Sequence, residues 1–306
     1  MPTSRRTFVS TLAAAGAALA ARPPGVIVDT HIHLFAKDQT RFPYAPTGTY
    51  RPEAADLEDY KQFVAEAQIT HGVIVHPEPY QDDHSYLEYC FENEPSPGFF
   101  KGTCLLDSAR GDTPARLRRL MQRCPDRIIA MRVHAVGERG TPPSNTGPIT
   151  GRDLTSDYMK RTWQTVADAG IAIQMHIRPY YAPQVRALME QFPQQRVVID
   201  HLGRAGMGTP ADYRDVLSLA KYPNVYMKYS GLEYSSKSGY PFEDVKPIVR
   251  QAYDAFGPDR MIWGYFGMNM EEFERNAAVL DAMFDFASAE DRAKVRGLTA
   301  VKFYGW

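Results

Sequence analysis

The sequence predicts an α/β fold, a single-domain (β/α)8 TIM-like barrel. Eight short β-rich runs alternate with eight segments of helical spacing between residues 26 and 286, and no shift in composition divides the chain. Repeated strand and helix alternation is typical of a parallel sheet covered by helices, and eight repeats are the number that closes such a barrel. No glycine-rich phosphate-binding turn follows the first run, which disfavours a doubly wound nucleotide-binding fold.

The elements are predicted from residue type and periodicity. The predicted strands are residues 26–33, 72–76, 100–106, 128–134, 171–177, 196–201, 224–230 and 261–266. The predicted helices are residues 57–69, 84–91, 114–124, 158–169, 183–192, 213–221, 245–256 and 271–286. Proline after threonine at Pro114 and Pro210 is a helix-start signal, and Gly170 and Gly257 are stop signals. The Gly/Pro/Ser/Thr-rich residues 137–151 predict a long loop after the fourth strand, which would form a lid or wall at the barrel mouth.

The N-terminus predicts an export signal rather than a core helix. Arg5 and Arg6 precede Phe8 in a pattern similar to a twin-arginine motif, and a short run of small apolar residues follows. That run is too short to remain as a membrane span, which needs about 20 residues. We expect residues 1–20 to be a twin-arginine signal peptide, residues 21–306 to be the barrel, and the mature protein to be periplasmic or secreted without a stable membrane anchor.

The composition is that of a soluble globular protein. The chain has 35 basic and 36 acidic residues, so the formal net charge of −1 gives no general attraction to nucleic acid, and none is expected as a partner. Hydrophobic residues make up 44% and charged residues 23%, enough for a large packed core. The three cysteines, Cys90, Cys104 and Cys124, show no metal-ligand or redox spacing, so we expect buried thiols.

Two histidines stand at the end of the first predicted strand. Side chains alternate along a strand, so Asp29, His31 and His33 should share one face, while Val28 and Ile32 should pack against the helices on the other. In a barrel of parallel strands, residues at the carboxyl ends surround the mouth. We therefore expect both imidazoles to point into the mouth.

Further histidines and several cations end other strands. His176 lies in the fifth predicted strand and His201 ends the sixth, and Arg132 shares a strand face with His134. Arg178, Arg204 and Lys228 lie at or near the same end of the barrel. Inward cations need anionic partners: a carboxylate-bearing substrate would fit them, and so would scaffold carboxylates such as Asp200 or Asp29.

The strand-end motifs together resemble a known family. They are residues 28–35 (VDTHIHLF), 174–176 (QMH), 198–204 (VIDHLGR), 224–231 (NVYMKYSG) and 260–264 (RMIWG). As a set they are similar to the amidohydrolase-2 group of the amidohydrolase superfamily, which includes lactonases for sugar and dicarboxylate lactones and metal-dependent decarboxylases. The resemblance implies a TIM-like barrel whose mouth carries His31, His33, His176 and His201 as metal-binding or substrate-binding residues.

The residues and the resemblance together give a predicted site. The catalytic candidates are His176, His201 and Arg132; the substrate-binding candidates are Arg178, Arg204, Lys228 and His134; the candidate ligands of a divalent metal, zinc or manganese, are His31, His33 and His176. A metal-free site is the alternative.

The eighth strand departs from the family pattern. Members of the group carry Trp-Gly-Ser-Asp there, with the aspartate as metal ligand and base, whereas this chain has Phe266 at the aspartate position. A phenyl ring neither accepts a proton nor binds a hard cation. The candidate substitutes are Asn269, Glu271, Glu233 and Asp29, although Asp29 is better placed to orient His31 or His33 and Glu271 to begin a helix.

The predicted function is hydrolysis of a cyclic ester (lactone) or related carbonyl compound, with a small, carboxylate-bearing substrate as the partner. Two alternatives remain open at this point. One is non-oxidative, metal-dependent decarboxylation, and the other is an exported barrel that binds a small ligand without catalysis after loss of its aspartate.

Overall fold

A computed structural model describes residues 25–265 and 267–306. Within them, eight parallel strands form one sheet in the order β1 to β8, each strand pairing with the next. The strands are β1 Val28–Ile32, β2 His71–Val75, β3 Phe100–Leu105, β4 Ile128–Ala135, β5 Ala172–Ile177, β6 Val197–Ile199, β7 Val225–Tyr229 and β8 Met261–Trp263. The predicted single-domain (β/α)8 barrel is confirmed. The predicted signal, residues 1–20, and Phe266 lie outside the described residues.

Helices follow each strand and cover the outside of the barrel. They are α1 Leu57–Ala67, α2 Ser85–Glu92, α3 Thr113–Arg123, α4 Asp157–Asp168, α5 Ala182–Gln191, α6 Pro210–Ser218, α7 Lys246–Phe256, α8 Met270–Met283, α9 Ala289–Ala293 and α10 Thr299–Tyr304. Local signals act as expected: Thr209 and Asp212 form a reciprocal capping box at the start of α6, and Gly257 ends α7. None of the helices described is long and apolar enough to cross a membrane.

Side chains join the last strand to the first. The Thr30 hydroxyl donates to the Trp263 carbonyl at 2.6 Å, and the Tyr265 backbone N–H donates to Asp29 Oδ1 at 2.9 Å. Gly264 lies so close to β1 that a Cβ on it would be 2.7 Å from His31 Cβ. This seam closes the barrel beside the predicted site, and it explains why glycine follows Trp263.

The predicted alternation along β1 is wrong at one point. The register of β1 against β2 shifts between Asp29 and Ile32. Val28 consequently packs with aliphatic residues of other strands inside the barrel, whereas Ile32 packs in the outer, helix-covered core as expected. A strand irregularity adds a residue to one side of the pairing and changes which face the following side chains occupy.

The C-terminal segment covers the lower end of the barrel. Ala300, Phe303 and Tyr304 of α10 pack with Val28, Val73, Val198 and Ile262 in one buried apolar cluster. Gly297, just before α10, approaches the chain so closely that a Cβ on it would be 2.3 Å from the Val26 carbonyl oxygen. These short helices beyond residue 286 were not predicted. The three cysteines are buried and free, as expected.

Candidate active site

A fully buried carboxylate, Asp200, lies immediately after β6 and connects several site residues. Arg132 reaches Asp200 Oδ2 with Nε and Nη2, both at 3.0 Å, and Lys228 Nζ lies 3.3 Å from Oδ1. The Gln174 amide donates to both carboxylate oxygens at 2.9 and 3.0 Å. Burial by itself would raise the pKa of Asp200, but the charges of Lys228 and Arg132 hold it well below its usual range. Two buried cations thus share the Asp200 carboxylate.

Lys228 lies beneath the histidines rather than on the cavity wall. Its fully buried ammonium donates to the Thr30 carbonyl at 2.9 Å and lies 3.5 Å from His31 Nδ1. An ammonium only donates hydrogen bonds, so this contact favours the tautomer of His31 with the lone pair on Nδ1. The sequence predicted Lys228 as a substrate-binding residue; the structure places it as a partner of Asp200 and His31.

Five histidines from four strand ends form a continuous layer. Ring centroids are 4.9 Å apart for His31 and His33, 4.6 Å for His31 and His201, 5.3 Å for His176 and His201, and 4.8 Å for His134 and His176. Burial is the main cause that lowers the pKa of His33, to about 3. Burial also holds the pKa of His176 well below the usual value, and the charge of Arg132 adds to it. The imidazoles are therefore neutral at pH 7, the form that exchanges protons and binds metals.

His134 and His176 form a direct imidazole pair. Their Nδ1 atoms are 3.2 Å apart, so one ring donates and the other accepts. Since each neutral ring carries one N–H, the two Nε2 atoms must differ: one carries the proton and the other the lone pair. Both Nε2 atoms are buried and have no hydrogen-bond partner among the described residues. The pair offers a donor and an acceptor to a ligand.

A left-handed turn after β6 delivers two site residues. His201, Leu202, Gly203 and Arg204 have φ values of 55°, 52°, 63° and 51°. Three of these are L-residues in a conformation that each disfavours, and such strain is concentrated at functional sites. His201 Nδ1 is 2.9 Å from the Ser230 hydroxyl, which fixes its ring.

The histidine layer forms the floor of a cavity of about 740 Å³ at the barrel mouth. Six predicted site residues line it: His33, Arg132, His134, His176, His201 and Arg204. The Arg204 guanidinium stacks on Tyr234 at 4.0 Å from the ring centroid, and its Nε is buried without a hydrogen-bond partner in the part of the chain that the structure describes. No carboxylate of the described ranges forms an ion pair with Arg204, whereas Arg178 pairs with Glu138 away from the cavity lining.

Three residues that sequence reasoning did not select also line the cavity: Thr49, Tyr50 and Glu78. Thr49 and Tyr50 lie in the β1–α1 loop, and Glu78 lies three residues after β2. Polar residues just beyond the carboxyl end of a barrel strand face the mouth, and this position after β2 is a signal that points to Glu78. Tyr50 has no such signal, because it lies far from the end of β1 in a long loop whose path the strand order does not specify.

The substitutes considered for the strand-eight aspartate lie elsewhere. The Asn269 side chain caps α8 by accepting from the Glu272 N–H at 3.0 Å. Glu271 pairs with Arg275 on the exposed face of α8, and Glu233 is exposed. Asp29 accepts from the backbone N–H of His31 at 3.0 Å, so it fixes the His31 backbone rather than its ring. Burial raises the pKa of Asp29 to about 6.

Two of the three predicted metal ligands, His33 and His176, suit a divalent metal. His33 Nδ1 donates to the Val75 carbonyl at 2.6 Å, which leaves the lone pair on Nε2, and His176 Nε2 is a buried nitrogen without a hydrogen bond. Among the described residues, the donor atoms that cluster within 4.8 Å belong instead to His31, Asp200 and His201. Asp200 is already neutralised by Lys228 and Arg132, which makes it a poor metal ligand. The predicted set of His31, His33 and His176 is not among the donor clusters of the described residues.

Comparison with known proteins identifies the family. The amidohydrolase family profile (Amidohydro_2) matches residues 28–306. The chain belongs to the amidohydrolase family. The 4-sulfomuconolactone hydrolase of Hydrogenophaga intermedia is 25% identical over 287 residues, which cover 89% of this chain and 86% of that protein.

Solved structures share the barrel. A probable 2-pyrone-4,6-dicarboxylic acid hydrolase from Acinetobacter baumannii, with citric acid bound, superposes with a TM-score of 0.70 at 21% identity and covers 92% of this chain and 99% of its own. An amidohydrolase from Burkholderia multivorans with bound zinc gives 0.69 at 17% identity, with coverages of 92% and 99%. At these identities the likeness shows the fold.

Proposed function

We propose that this amidohydrolase-family protein hydrolyses a lactone that carries an anionic group. The observation that carries the proposal is Arg204, a cation on the cavity wall that stacks on Tyr234 and forms no ion pair within residues 25–265 and 267–306. A guanidinium in that position binds a carboxylate or sulfonate well. The similarity to a sulfomuconolactone hydrolase supports the lactone class.

The residues of the cavity divide the reaction between them. Arg204 holds the anionic group, and the Tyr234 ring keeps the guanidinium in place. The protonated Nε2 of the His134 and His176 pair donates to the lactone carbonyl, and the other Nε2 accepts a proton from the attacking water. The water oxygen bonds to the carbonyl carbon, the ring C–O bond breaks, and the leaving alkoxide takes a proton from the imidazole. Arg132 and Lys228 are the cations nearest the histidine layer, and their charges favour the negative charge that develops on the carbonyl oxygen.

His33 and His176 would hold a zinc or manganese ion through Nε2, and the ion would supply a Lewis acid for the carbonyl. His31 would not join them in the tautomer that Lys228 favours, because its Nε2 then carries the proton. With the ion bound, the Nδ1 of His176 carries the proton and donates to His134, so His134 Nε2 carries the proton that faces the ligand. The tautomers of the pair are then fixed, and His134 binds the substrate oxygen.

Ring opening of a lactone panel tests the proposal. The panel contains matched neutral, carboxylated and sulfonated lactones, and acid release is followed at constant pH with metal added and with metal removed by chelator. We expect turnover of the anionic members, and Arg204→Gln should reduce kcat/KM for them by about 100-fold, because a hydrogen-bonded charge pair contributes about 2 to 3 kcal/mol. Arg178→Gln is the matched control, since Arg178 pairs with Glu138.

Three results would contradict the proposal. If Arg204→Gln lost the same activity on neutral and anionic lactones, Arg204 would not bind the anionic group of the substrate. Release of carbon dioxide from aromatic acids, with no lactone opened, would support the decarboxylase alternative instead. Binding of the lactones without any turnover would favour the non-catalytic alternative.

The same proposal includes export by the twin-arginine route. The support is the Arg5-Arg6 pair and the short apolar run after it. Cell fractionation of the full chain tests this: we expect mature protein, shortened by about 20 residues, in the periplasm or medium. Replacement of both Arg5 and Arg6 by lysine should leave the protein in the cytoplasm; continued export of that variant would exclude this route.

A further inference from the structure

Two polar side chains, Glu78 and Gln81, are buried beside the cavity just after β2. Their exposed fractions are 6% and 5%. The Gln81 amide donates to the Glu78 carboxylate and to the Glu78 carbonyl, the latter at 2.8 Å. Buried polar groups are stable only when they are hydrogen-bonded. Both Glu78 carboxylate oxygens, and both the amide nitrogen and the amide oxygen of Gln81, form hydrogen bonds. We refer to these two residues as the Glu78–Gln81 hub.

The hub binds the β1–α1 loop through Thr49. The Thr49 backbone N–H donates to both Glu78 oxygens, at 3.1 and 3.0 Å, and its hydroxyl donates to Oε2 at 2.9 Å. The Ala45 N–H donates to the Pro79 carbonyl at 2.8 Å in the same contact. Thr49 and Tyr50 both line the cavity, so Glu78 fixes the loop that carries them.

The hub also binds the loop between β4 and α4. The Gln81 side-chain oxygen accepts from the Ile149 N–H at 2.9 Å, and the next residue, Thr150, lines the cavity. A single glutamine thus joins the loop after β2 to a loop 68 residues further along the chain. Three loops that form one side of the cavity wall are connected through two side chains.

The backbone of Gln81 is strained to achieve this. It has φ 50° and ψ −118°, a conformation that a residue with a Cβ disfavours. The Gln81 carbonyl lies 3.0 Å from His76 Nε2, which must donate, and the His76 ring stacks on His84 at 4.2 Å. Strain of this kind persists only where surrounding contacts over-determine it, and it is concentrated at functional sites.

We propose that Glu78 and Gln81 are positioning residues that hold the cavity wall in shape and thereby determine which lactones fit. Glu78 does not act as a base in place of the missing aspartate, because its oxygens already accept from Thr49 N, Thr49 Oγ1 and the Gln81 amide, which occupy its acceptor positions. The selection among lactones rests on the proposed function, whereas the ordering of the two loops by Glu78 and Gln81 does not.

Two isosteric variants and their combination test the hub. Glu78→Gln loses acceptors for Thr49, and Gln81→Glu places two carboxylates together. The double variant carries the amide and the carboxylate in exchanged positions and restores one amide-to-carboxylate bond. Asp59→Asn is the matched control, because Asp59 lines the same cavity but is exposed and pairs with Lys37.

Hydrogen–deuterium exchange of the full chain without substrate gives the first result. Each single hub variant should raise the exchange rates of amides in residues 45–50 and 147–151 by about tenfold or more, since about 1.4 kcal/mol corresponds to a factor of ten. The double variant should recover part of the protection, and Asp59→Asn should match the wild type. Unchanged protection of both loops in the single variants would overturn the proposal. If Glu78→Gln does not fold, Thr49→Val removes one bond of the hub and should loosen residues 45–50.

Kinetics give the second result. The single variants should raise KM by about tenfold for the preferred lactone and change kcat much less, because the wall binds the substrate in ground and transition state alike. A loss confined to kcat would place Glu78 in the chemistry and overturn a positioning role. If the wild type opens no lactone, the proposed function is refuted. The exchange experiment would still show whether the Glu78–Gln81 hub holds the two loops in place.

Discussion

The two ends of this barrel differ in what fills them. The lower end holds Val28, Val198 and Ile262 under Phe303 of α10 in one buried apolar cluster. The mouth end buries Asp200, Arg132, Lys228 and the histidine layer in the same sheet. Burying charge costs free energy unless each group is paired, so the mouth contributes less to stability than the lower end. The difference separates a stabilising half from a half that is retained for binding and chemistry.

The largest expected effect is at the mouth. Asp200→Ala leaves Arg132 and Lys228 buried without their shared anion, which should lower the free energy of unfolding by about 3 to 5 kcal/mol. Urea unfolding measures this. Asp254→Asn, which removes a carboxylate from an exposed pair with Arg250, is the control and should change stability by less than about 1 kcal/mol. A loss of the same small size in Asp200→Ala would mean that the polar layer is not strongly coupled.

The second effect tests the lower end. Ile262→Ala removes a fully buried side chain from the apolar cluster and should lower the free energy of unfolding by about 2 to 4 kcal/mol. Because no residue of this apolar cluster lines the cavity, the affinity for the hydroxy-acid product of an anionic lactone should stay within about twofold of wild type. Isothermal titration with that product, at a temperature where the variant is folded, measures the affinity. A large change in affinity would show that the two halves are not independent.

The smallest expected effect is the loss of folding stability at acidic pH through His76. Burial lowers the pKa of His76 to about 4, so the folded protein keeps this ring neutral while the unfolded chain protonates near the usual value of 6.5. Stability is therefore present above pH 6.5 and is lost as the pH falls toward 4. Between pH 7 and pH 5, His76 should account for about 2 kcal/mol of that loss.

His76→Gln provides the comparison, because glutamine keeps a donor for the Gln81 carbonyl but does not titrate. Urea unfolding at pH 7 and pH 5 should give a smaller difference in the variant than in the wild type. An unchanged difference would show that the pKa of His76 is the same in the folded and unfolded states.

Much of the fold and part of the site follow from the sequence. Eight alternating runs specify the barrel because each strand is hydrophobic enough to be buried and each helix has an apolar face that must cover it. The carboxyl ends of parallel strands meet at one end, so the order of strands along the chain is enough to predict that His33, His134, His176 and His201 share one cavity. These are properties of local pattern and chain order.

The tertiary structure decided which ion-pair partner each charged side chain has and which side chains face the cavity. Lys228 pairs with Asp200 rather than lining the cavity, and Arg178 pairs with Glu138, because a charged side chain takes whichever partner the fold brings within reach. The irregularity in β1 moved Val28 into the barrel interior, and the Glu78–Gln81 hub joins loops far apart in the chain. The sequence determined that this is a barrel with imidazoles and cations at its mouth. Which of them face a ligand depended on three-dimensional packing, since hydrogen bonds and ion pairs between distant segments leave no periodic trace in the sequence.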